Sequence, residues 1–222
     1  MKTTILFDAG GTLVFPSFSR IAAELTAEGV PAEAAALERA DAGVRFAMDR
    51  PEVIAATSDG DRFRRYLDAL VGAVGLARLP DAVFARLDAY HREHNLWEDV
   101  PAQVPAALER LRGRFRMAVV SNANGTVRAK LERVNLARYF ELIVDSHEEG
   151  MEKPDPGLFR VALDRMGVAP AQAAYVGDLY HVDVAGAAAA GLSPFLLDPF
   201  DLYTDLPVTR IRALGDLDGH LP

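Results

Sequence analysis

Short apolar runs that end on polar or glycine residues constrain the fold of this chain more than any other feature. The predicted strands are Thr3–Phe7, Phe115–Val120, Leu142–Asp145, Ala173–Val176 and Pro194–Leu197. The first four are followed by Asp8-Ala-Gly-Gly-Thr12, Ser121-Asn122, Asp145-Ser146 and Gly177-Asp178. Single helical patterns separate the later runs, which predicts βαβ units and a doubly wound α/β fold with a parallel sheet. Ligands bind such sheets outside the carboxyl ends of the strands, so we expect the functional site there.

The segment between the first two runs has a different pattern of apolar residues. From Phe18 to about Leu96, apolar residues recur every three or four positions, which predicts about four helices and no strand. Turn signals fall at Gly29-Val-Pro31, Ser58-Asp-Gly60 and Leu79-Pro80. We therefore predict an α/β core formed by residues 1–15 and 98–222, with a helical insert at residues 16–97. The stretch after Asp198 has no clear periodicity.

Composition excludes several classes of protein. The chain has 222 residues and no cysteine, so thiol catalysis, disulfides and thiolate-bound zinc are excluded. Its net charge of −8 is unfavourable for nucleic-acid binding, which depends on clustered lysine and arginine. No apolar run reaches about 18 residues, and Asp8 comes too early for a signal-peptide core. We expect no membrane span and a cytoplasmic location.

The strand ends carry the residue types that phosphate and metal chemistry need. Asp8 suits a nucleophile or a metal ligand, and the glycines after it let backbone N–H groups approach an anion. Ser121 and Asn122 could hold phosphate oxygens or cap the next helix. Lys153 is one of three lysines and lies beside two prolines, although a solvated surface position is the common alternative.

A pair of carboxylates follows the fourth run. Asp178 comes directly after the apolar strand, and Asp183 lies five residues further on. Two carboxylates in one loop suit a hard cation such as Mg²⁺, whereas helix capping is the alternative for Asp183.

Together, these motifs resemble the haloacid dehalogenase superfamily over almost the whole chain. The first motif is Asp8-Ala-Gly-Gly-Thr12, the second is Ser121, the third is Lys153, and the fourth is Gly177-Asp178 with Asp183. The helical insert resembles the family's C1 cap domain. The resemblance implies a hydrolase, and most directly a phosphatase that acts on a small phosphorylated substrate.

The resemblance also implies a role for each motif residue. Asp8 would attack phosphorus and form an aspartyl-phosphate, Ser121 would hydrogen-bond the phosphoryl group, and Lys153 would neutralise charge. Gly11 and Asn122 would help to bind the substrate.

The implied cofactor is Mg²⁺. It would be held by Asp8, Asp178 and the main-chain carbonyl of Gly10. Asp183 would orient these groups without itself binding the metal.

One position departs from the family pattern. Gly10 stands where most members have a second aspartate that serves as general acid and base. General acid–base help is worth about 10²–10⁴-fold, so we expect slow turnover, a good leaving group, or another proton donor. His181 is the first candidate donor, while His91 and His94 are expected on a solvated helix face.

Gly10 also keeps two other functions open. One is a phosphate-binding or regulatory protein with little turnover, although an intact Asp8 argues against it. The other is a haloacid dehalogenase, but the fourth motif is of the metal-binding type. A phosphonatase needs a cap lysine, and residues 16–100 contain none.

Overall fold

The computed structural model describes residues 1–56 and 59–221 and contains a six-stranded parallel sheet. In chain order the strands are β1 (Thr4–Phe7), β2 (Phe15–Pro16), β3 (Trp97–Asp99), β4 (Arg116–Ser121), β5 (Leu142–Asp145), β6 (Ala173–Gly177), β7 (Ser193–Leu197) and β8 (Thr209–Ile211). The large sheet has the order β5-β4-β1-β6-β7-β8, and β2 pairs with β3 separately. All adjacent strands of the large sheet are parallel.

Helices connect these strands and fill the insert. In chain order they are α1 (Phe18–Ala27), α2 (Ala34–Met48), α3 (Pro51–Ala55), α4 (Asp59–Ala73), α5 (Asp81–His94), α6 (Gln103–Arg112), α7 (Val127–Arg133), α8 (Ser146–Glu149), α9 (Pro156–Met166), α10 (Ala185–Ala189) and α11 (Leu217–His220). A π-helical turn at Tyr180–Val184 leads into α10. Among the described residues, no helix is both long and apolar enough to cross a bilayer.

Alternation along the strands gives the sheet a core on each face. Ile5 and Phe7 of β1 belong to one core, together with Leu108 of α6 and Leu131 of α7. Leu6 belongs to the other core, which includes residues of α9 and α10. Successive side chains of a strand point to opposite faces, so a run that is apolar throughout requires helices on both sides. The predicted doubly wound α/β fold is confirmed.

The chain reverses its direction of travel across the sheet at β1. From β1 it proceeds to β4 and β5 on one side, and later to β6, β7 and β8 on the other. The carboxyl end of β1 is therefore the topological switch point, where the loops after β4 and β6 diverge and leave a crevice.

The chain divides into two compact units, Met1–Phe15 with Trp97–Pro222, and Pro16–Leu96. The second unit contains α1 to α5, around buried leucines such as Leu25 and Leu67. The predicted break at 58–60 lies partly outside the described residues, because Ser58 is not among them.

Several short elements were not predicted from the sequence, among them β8 and α8. β8 lies in the stretch after Asp198, for which no element was predicted, and it pairs with β7. Asp145 and Ser146 do not only end a strand: Asp145 accepts a hydrogen bond from the backbone N–H of His147 at 3.0 Å and thereby caps α8.

Candidate active site

The predicted motif residues gather at the carboxyl ends of the central strands. Phe7 of β1 pairs with Val119 of β4 and with Val176 of β6, so the residues that follow these strands emerge together. Asp8 continues the pattern, and its backbone N–H donates to the carbonyl of Val176 at 2.8 Å. Ser121 ends β4 and is buried.

Lys153 lies at the centre of this group. Its Nζ donates to Asp8 Oδ1 at 2.6 Å, to Asp183 Oδ1 at 2.7 Å and to the Tyr175 hydroxyl at 2.9 Å. The residue is 3% exposed, so the solvated surface position is excluded. A buried ammonium with three acceptors is held at one point and can balance charge only there.

Asn122 holds the main chain of Lys153. The Asn122 Nδ2 donates to the carbonyl of Lys153 at 2.9 Å, and the Lys153 N–H donates to Asn122 Oδ1 at 2.7 Å. This pair of hydrogen bonds ties the loop after β4 to the loop before α9. The Asn122 side chain thus positions the lysine.

Three buried carboxylates lie beside the lysine. Asp8, Asp178 and Asp183 each offer an oxygen, and these oxygens lie within 4.8 Å of one another. The Thr12 hydroxyl donates to Asp178 Oδ1 at 3.3 Å. Clustered carboxylate oxygens are the ligands that Mg²⁺ prefers, and this donor set fits such an ion.

Asp183 accepts hydrogen bonds from three groups of the protein. Its Oδ1 accepts from Lys153 and from the Tyr175 hydroxyl, and its Oδ2 accepts from the backbone N–H of Leu179 at 3.0 Å. A Cβ on Gly177 would approach the carboxyl carbon of Asp183 to 2.4 Å, so glycine at the end of β6 makes room for this carboxylate.

Burial and neighbouring charges shift the pKa values of Asp8 and Lys153. Burial raises the pKa of Asp8, Lys153 opposes this shift, and Asp183 adds to it. Burial alone would lower the pKa of Lys153, but Asp183 and Asp8 hold it above its ordinary value. Excess negative charge in a buried site favours a bound cation.

A family model for haloacid dehalogenase-like hydrolases matches residues 2–191. The chain belongs to this family. It is 35% identical to phosphoserine phosphatase of Thermus thermophilus over 174 residues, which cover 78% of this chain and 69% of the relative. It is 31% identical to glyceraldehyde 3-phosphate phosphatase of Methanopyrus kandleri over 199 residues, or 86% and 82% of the two chains.

Solved structures share the fold of this hydrolase. The HAD hydrolase YfnB of Bacillus subtilis, in a magnesium-bound crystal form, superposes with a TM-score of 0.74. The alignment covers 99% of this chain and 98% of YfnB at 19% identity. At that identity the likeness establishes the fold only.

Gly10 and Gly11 shape the loop after the candidate nucleophile. Gly11 has a φ of +85°, which favours glycine, and its N–H donates to the carbonyl of Val14 at 2.8 Å. The N–H of Gly11, a predicted substrate-binding residue, therefore closes the turn. Gly10 forms a bridge to Val14.

Sequence reasoning missed Tyr175 as a member of the site. It lies within the apolar run of β6, where its hydroxyl bonds Lys153 and Asp183 and lies 3.3 Å from the carbonyl of Val120. Burial and the carboxylates of Asp183 and Asp8 raise its pKa well above the ordinary value, so it stays a neutral phenol. A tyrosine among smaller residues of a buried strand was the available signal.

Lys130 is a buried lysine that the sequence analysis did not single out. It is 3% exposed on α7, between the buried Val127 and Leu131. Burial lowers its pKa to about 8, although the charges of Asp8 and Asp145 oppose the shift. The rarity of lysine, together with its place on the apolar face of a helix, could have drawn attention to it.

The three histidines that were considered as proton donors lie in two elements, the π-helical turn and α5. His181 is half-buried in the π-helical turn, with its ring 5.1 Å from that of Tyr180. His91 is not on a solvated face: its ring stacks on Phe63 at 4.3 Å, and its Nδ1 accepts from the N–H of Leu96 at 3.1 Å. His94 packs near Tyr90, also in the insert.

Proposed function

We propose that this hydrolase is a Mg²⁺-dependent phosphatase of small phosphorylated metabolites that uses Asp8 as its nucleophile. The observation that carries the proposal is the 2.6 Å contact between Lys153 and Asp8, with Asp178 and Asp183 clustered around it. The phosphatases among the relatives support the same reaction class.

Asp8 begins the reaction by attacking phosphorus. One carboxylate oxygen forms a bond to phosphorus, the ester oxygen leaves with its electron pair, and an aspartyl-phosphate remains. Water then attacks that phosphorus and returns Asp8 and inorganic phosphate. Lys153 holds the Asp8 oxygen in place and offsets negative charge as the two anions approach.

The remaining residues position these groups. Asp8, Asp178 and the carbonyl of Gly10 would hold the Mg²⁺ ion, which supplies further charge neutralisation when bound. Ser121 donates a hydrogen bond to the phosphoryl group. Asp183 fixes Lys153 through a contact of 2.7 Å and is not itself required as a ligand.

Replacing Asp8 by asparagine tests this proposal. The Asp8→Asn variant keeps the shape of the side chain but loses the nucleophile, so hydrolysis of an aryl phosphate with Mg²⁺ should fall to background. The matched control is Asp164→Asn, an exposed position on α9, which should retain native activity. Native turnover by the Asp8→Asn protein would refute the proposed mechanism.

Gly10 favours a second candidate function, a phosphate-binding protein with little turnover. If this alternative holds, the native protein should bind inorganic phosphate with Mg²⁺ but should hydrolyse even an activated aryl phosphate no faster than the Asp8→Asn variant does. Hydrolysis that survives excess chelator would instead favour a dehalogenase-type site without metal.

A further inference from the structure

The space beside Gly10 is filled by Trp97. A Cβ built on Gly10 would lie 3.2 Å from Trp97 Cδ1, 3.3 Å from Nε1 and 3.8 Å from Cγ. All three of its nearest neighbours are therefore atoms of one indole ring. The contacts to Cδ1 and Nε1 are tighter than a Cβ usually makes, so the ring would have to shift by a few tenths of an ångström, and an aspartate would have to fit three further atoms beyond the Cβ.

The position of the ring is set by the protein core. Trp97 is the first residue of β3, and its half-buried side chain packs against the core that contains Ile5 and Phe7. An aspartate at position 10 would require this ring to shift although it packs against the core. Gly10 and Trp97 thus form a complementary pair, in which an indole lies where a carboxylate would otherwise project.

The exchange changes what this part of the site can do chemically. A carboxylic acid can give a proton to a departing oxygen, whereas an indole N–H donates a hydrogen bond but does not ionise near neutral pH. An indole also offers a flat aromatic surface on which a planar group can stack. A leaving group whose oxyanion is delocalised and planar needs no proton and gains from this surface.

We propose that Trp97 faces the leaving group and restricts this enzyme to phosphate monoesters of planar, weakly basic alcohols, namely aryl or enol phosphates. This inference rests on the proposed function, because it takes Asp8 as the nucleophile and position 10 as lying on the leaving-group side. It explains why an otherwise complete set of catalytic residues lacks the second aspartate.

The test compares phenyl phosphate with ethyl phosphate in four proteins: native, Gly10→Asp, Trp97→Leu, and the double variant. The native kcat/KM should favour phenyl phosphate by about 10²-fold or more, the size of a missing general acid. Gly10→Asp alone should not reduce this preference, because the ring blocks the carboxylate. The double variant should reduce it by about tenfold or more, because the acid then has room.

Trp97→Phe is the control for a folding defect caused by loss of the ring. It keeps a flat ring against the core and should retain the aryl preference, while thermal unfolding confirms that each variant is folded. Trp97→Leu alone should also lower the preference, because it removes the stacking surface. Gly10→Asp reducing the preference as much as the double variant, or an unaltered preference in either folded Trp97→Leu or the folded double variant, would overturn the inference.

Binding separates this inference from the proposed function. Trp97 is the only tryptophan, so its fluorescence reports on the ring directly. In the Asp8→Asn protein with Mg²⁺, phenyl phosphate should quench it and bind tighter than ethyl phosphate, and calorimetry should show that Trp97→Leu removes the difference. Equal binding of both esters would overturn the role of Trp97 even where Asp8-dependent turnover persists. Turnover independent of Asp8 would overturn the proposed function instead.

Discussion

The candidate active site depends on one buried cation that is shared by two carboxylates. Lys153 Nζ contacts both Asp8 and Asp183, and each of the three side chains is less than a tenth exposed. Burial of a charge is costly unless it is paired, so each partner is stabilised only while the others remain. Tyr175 completes the network from β6.

Lys153→Met should therefore abolish activity and also destabilise the fold. Removing the cation leaves Asp8 and Asp183 buried without it, which should cost about 3–5 kcal/mol in urea unfolding at pH 7. The control is Arg165→Met, which breaks the more exposed pair with Glu149 and should cost less than about 1 kcal/mol. Equal losses in the two variants would show that the buried network contributes little.

At the scale of elements, α7 combines a packing face with a buried charge. Val127 and Leu131 face the core, and Lys130 occupies the same face. Its pKa of about 8, against 10.5 for an exposed lysine, means that folding penalises the charged form below pH 8. Asp8 and Asp145 reduce this penalty, whereas Arg133 adds to it.

Lys130→Met should make the protein more stable at pH 7, by about 3.5 kcal/mol at most, since each pKa unit corresponds to about 1.4 kcal/mol. Between pH 8 and 10.5 the unfolded chain keeps a proton on Lys130 that the folded chain releases. The free energy of unfolding of the native protein therefore rises with pH relative to that of the Lys130→Met variant. Urea unfolding at pH 7 and pH 9.5 measures both. A stability difference that is the same at both pH values would contradict the assignment, and exposed Arg128→Met on the same helix should show such constancy.

At the scale of the whole molecule, the fold concentrates negative charge at the switch point of the sheet. The chain carries a net charge of −8, and three of its carboxylates meet at the end of β1. Bringing like charges together destabilises the folded state, and a bound cation relieves that repulsion. Metal binding and folding stability are therefore linked.

Mg²⁺ should raise the melting temperature of the native protein. A ligand at 100 times its Kd adds about 2.7 kcal/mol, and each kcal/mol raises Tm by about 2–4 °C for a chain of this size. Differential scanning calorimetry with and without Mg²⁺ measures the shift. The Asp178→Asn variant should lose most of this rise in Tm, whereas the Asp164→Asn control should keep all of it. An equal rise in the native protein and both variants would rule out Mg²⁺ binding at Asp178.

The sequence predicted the central strands because they are mostly apolar runs that are followed by polar or glycine residues. It did not predict β8, since Thr209–Ile211 has three residues and no detectable alternation. Among the site residues, Asp8 and Lys153 stood at strand ends or beside prolines, where chemistry is visible in sequence. Tyr175 was hidden, because an aromatic residue in an apolar strand looks like core until its neighbours in space are known. Trp97 was hidden, because its contact with Gly10 joins residues that are far apart in the sequence.

Chemical trapping of the aspartyl-phosphate shows whether Asp8 is the nucleophile. Native protein mixed with an aryl phosphate and Mg²⁺, quenched in acid within a single turnover and digested, should yield one phosphorylated peptide. Mass spectrometry should place the phosphoryl group on Asp8, and the Asp8→Asn protein should yield no phosphorylated peptide. A phosphoryl group on another residue, or Mg²⁺-dependent turnover without any covalent phosphoryl-enzyme, would contradict the role of Asp8 as the nucleophile.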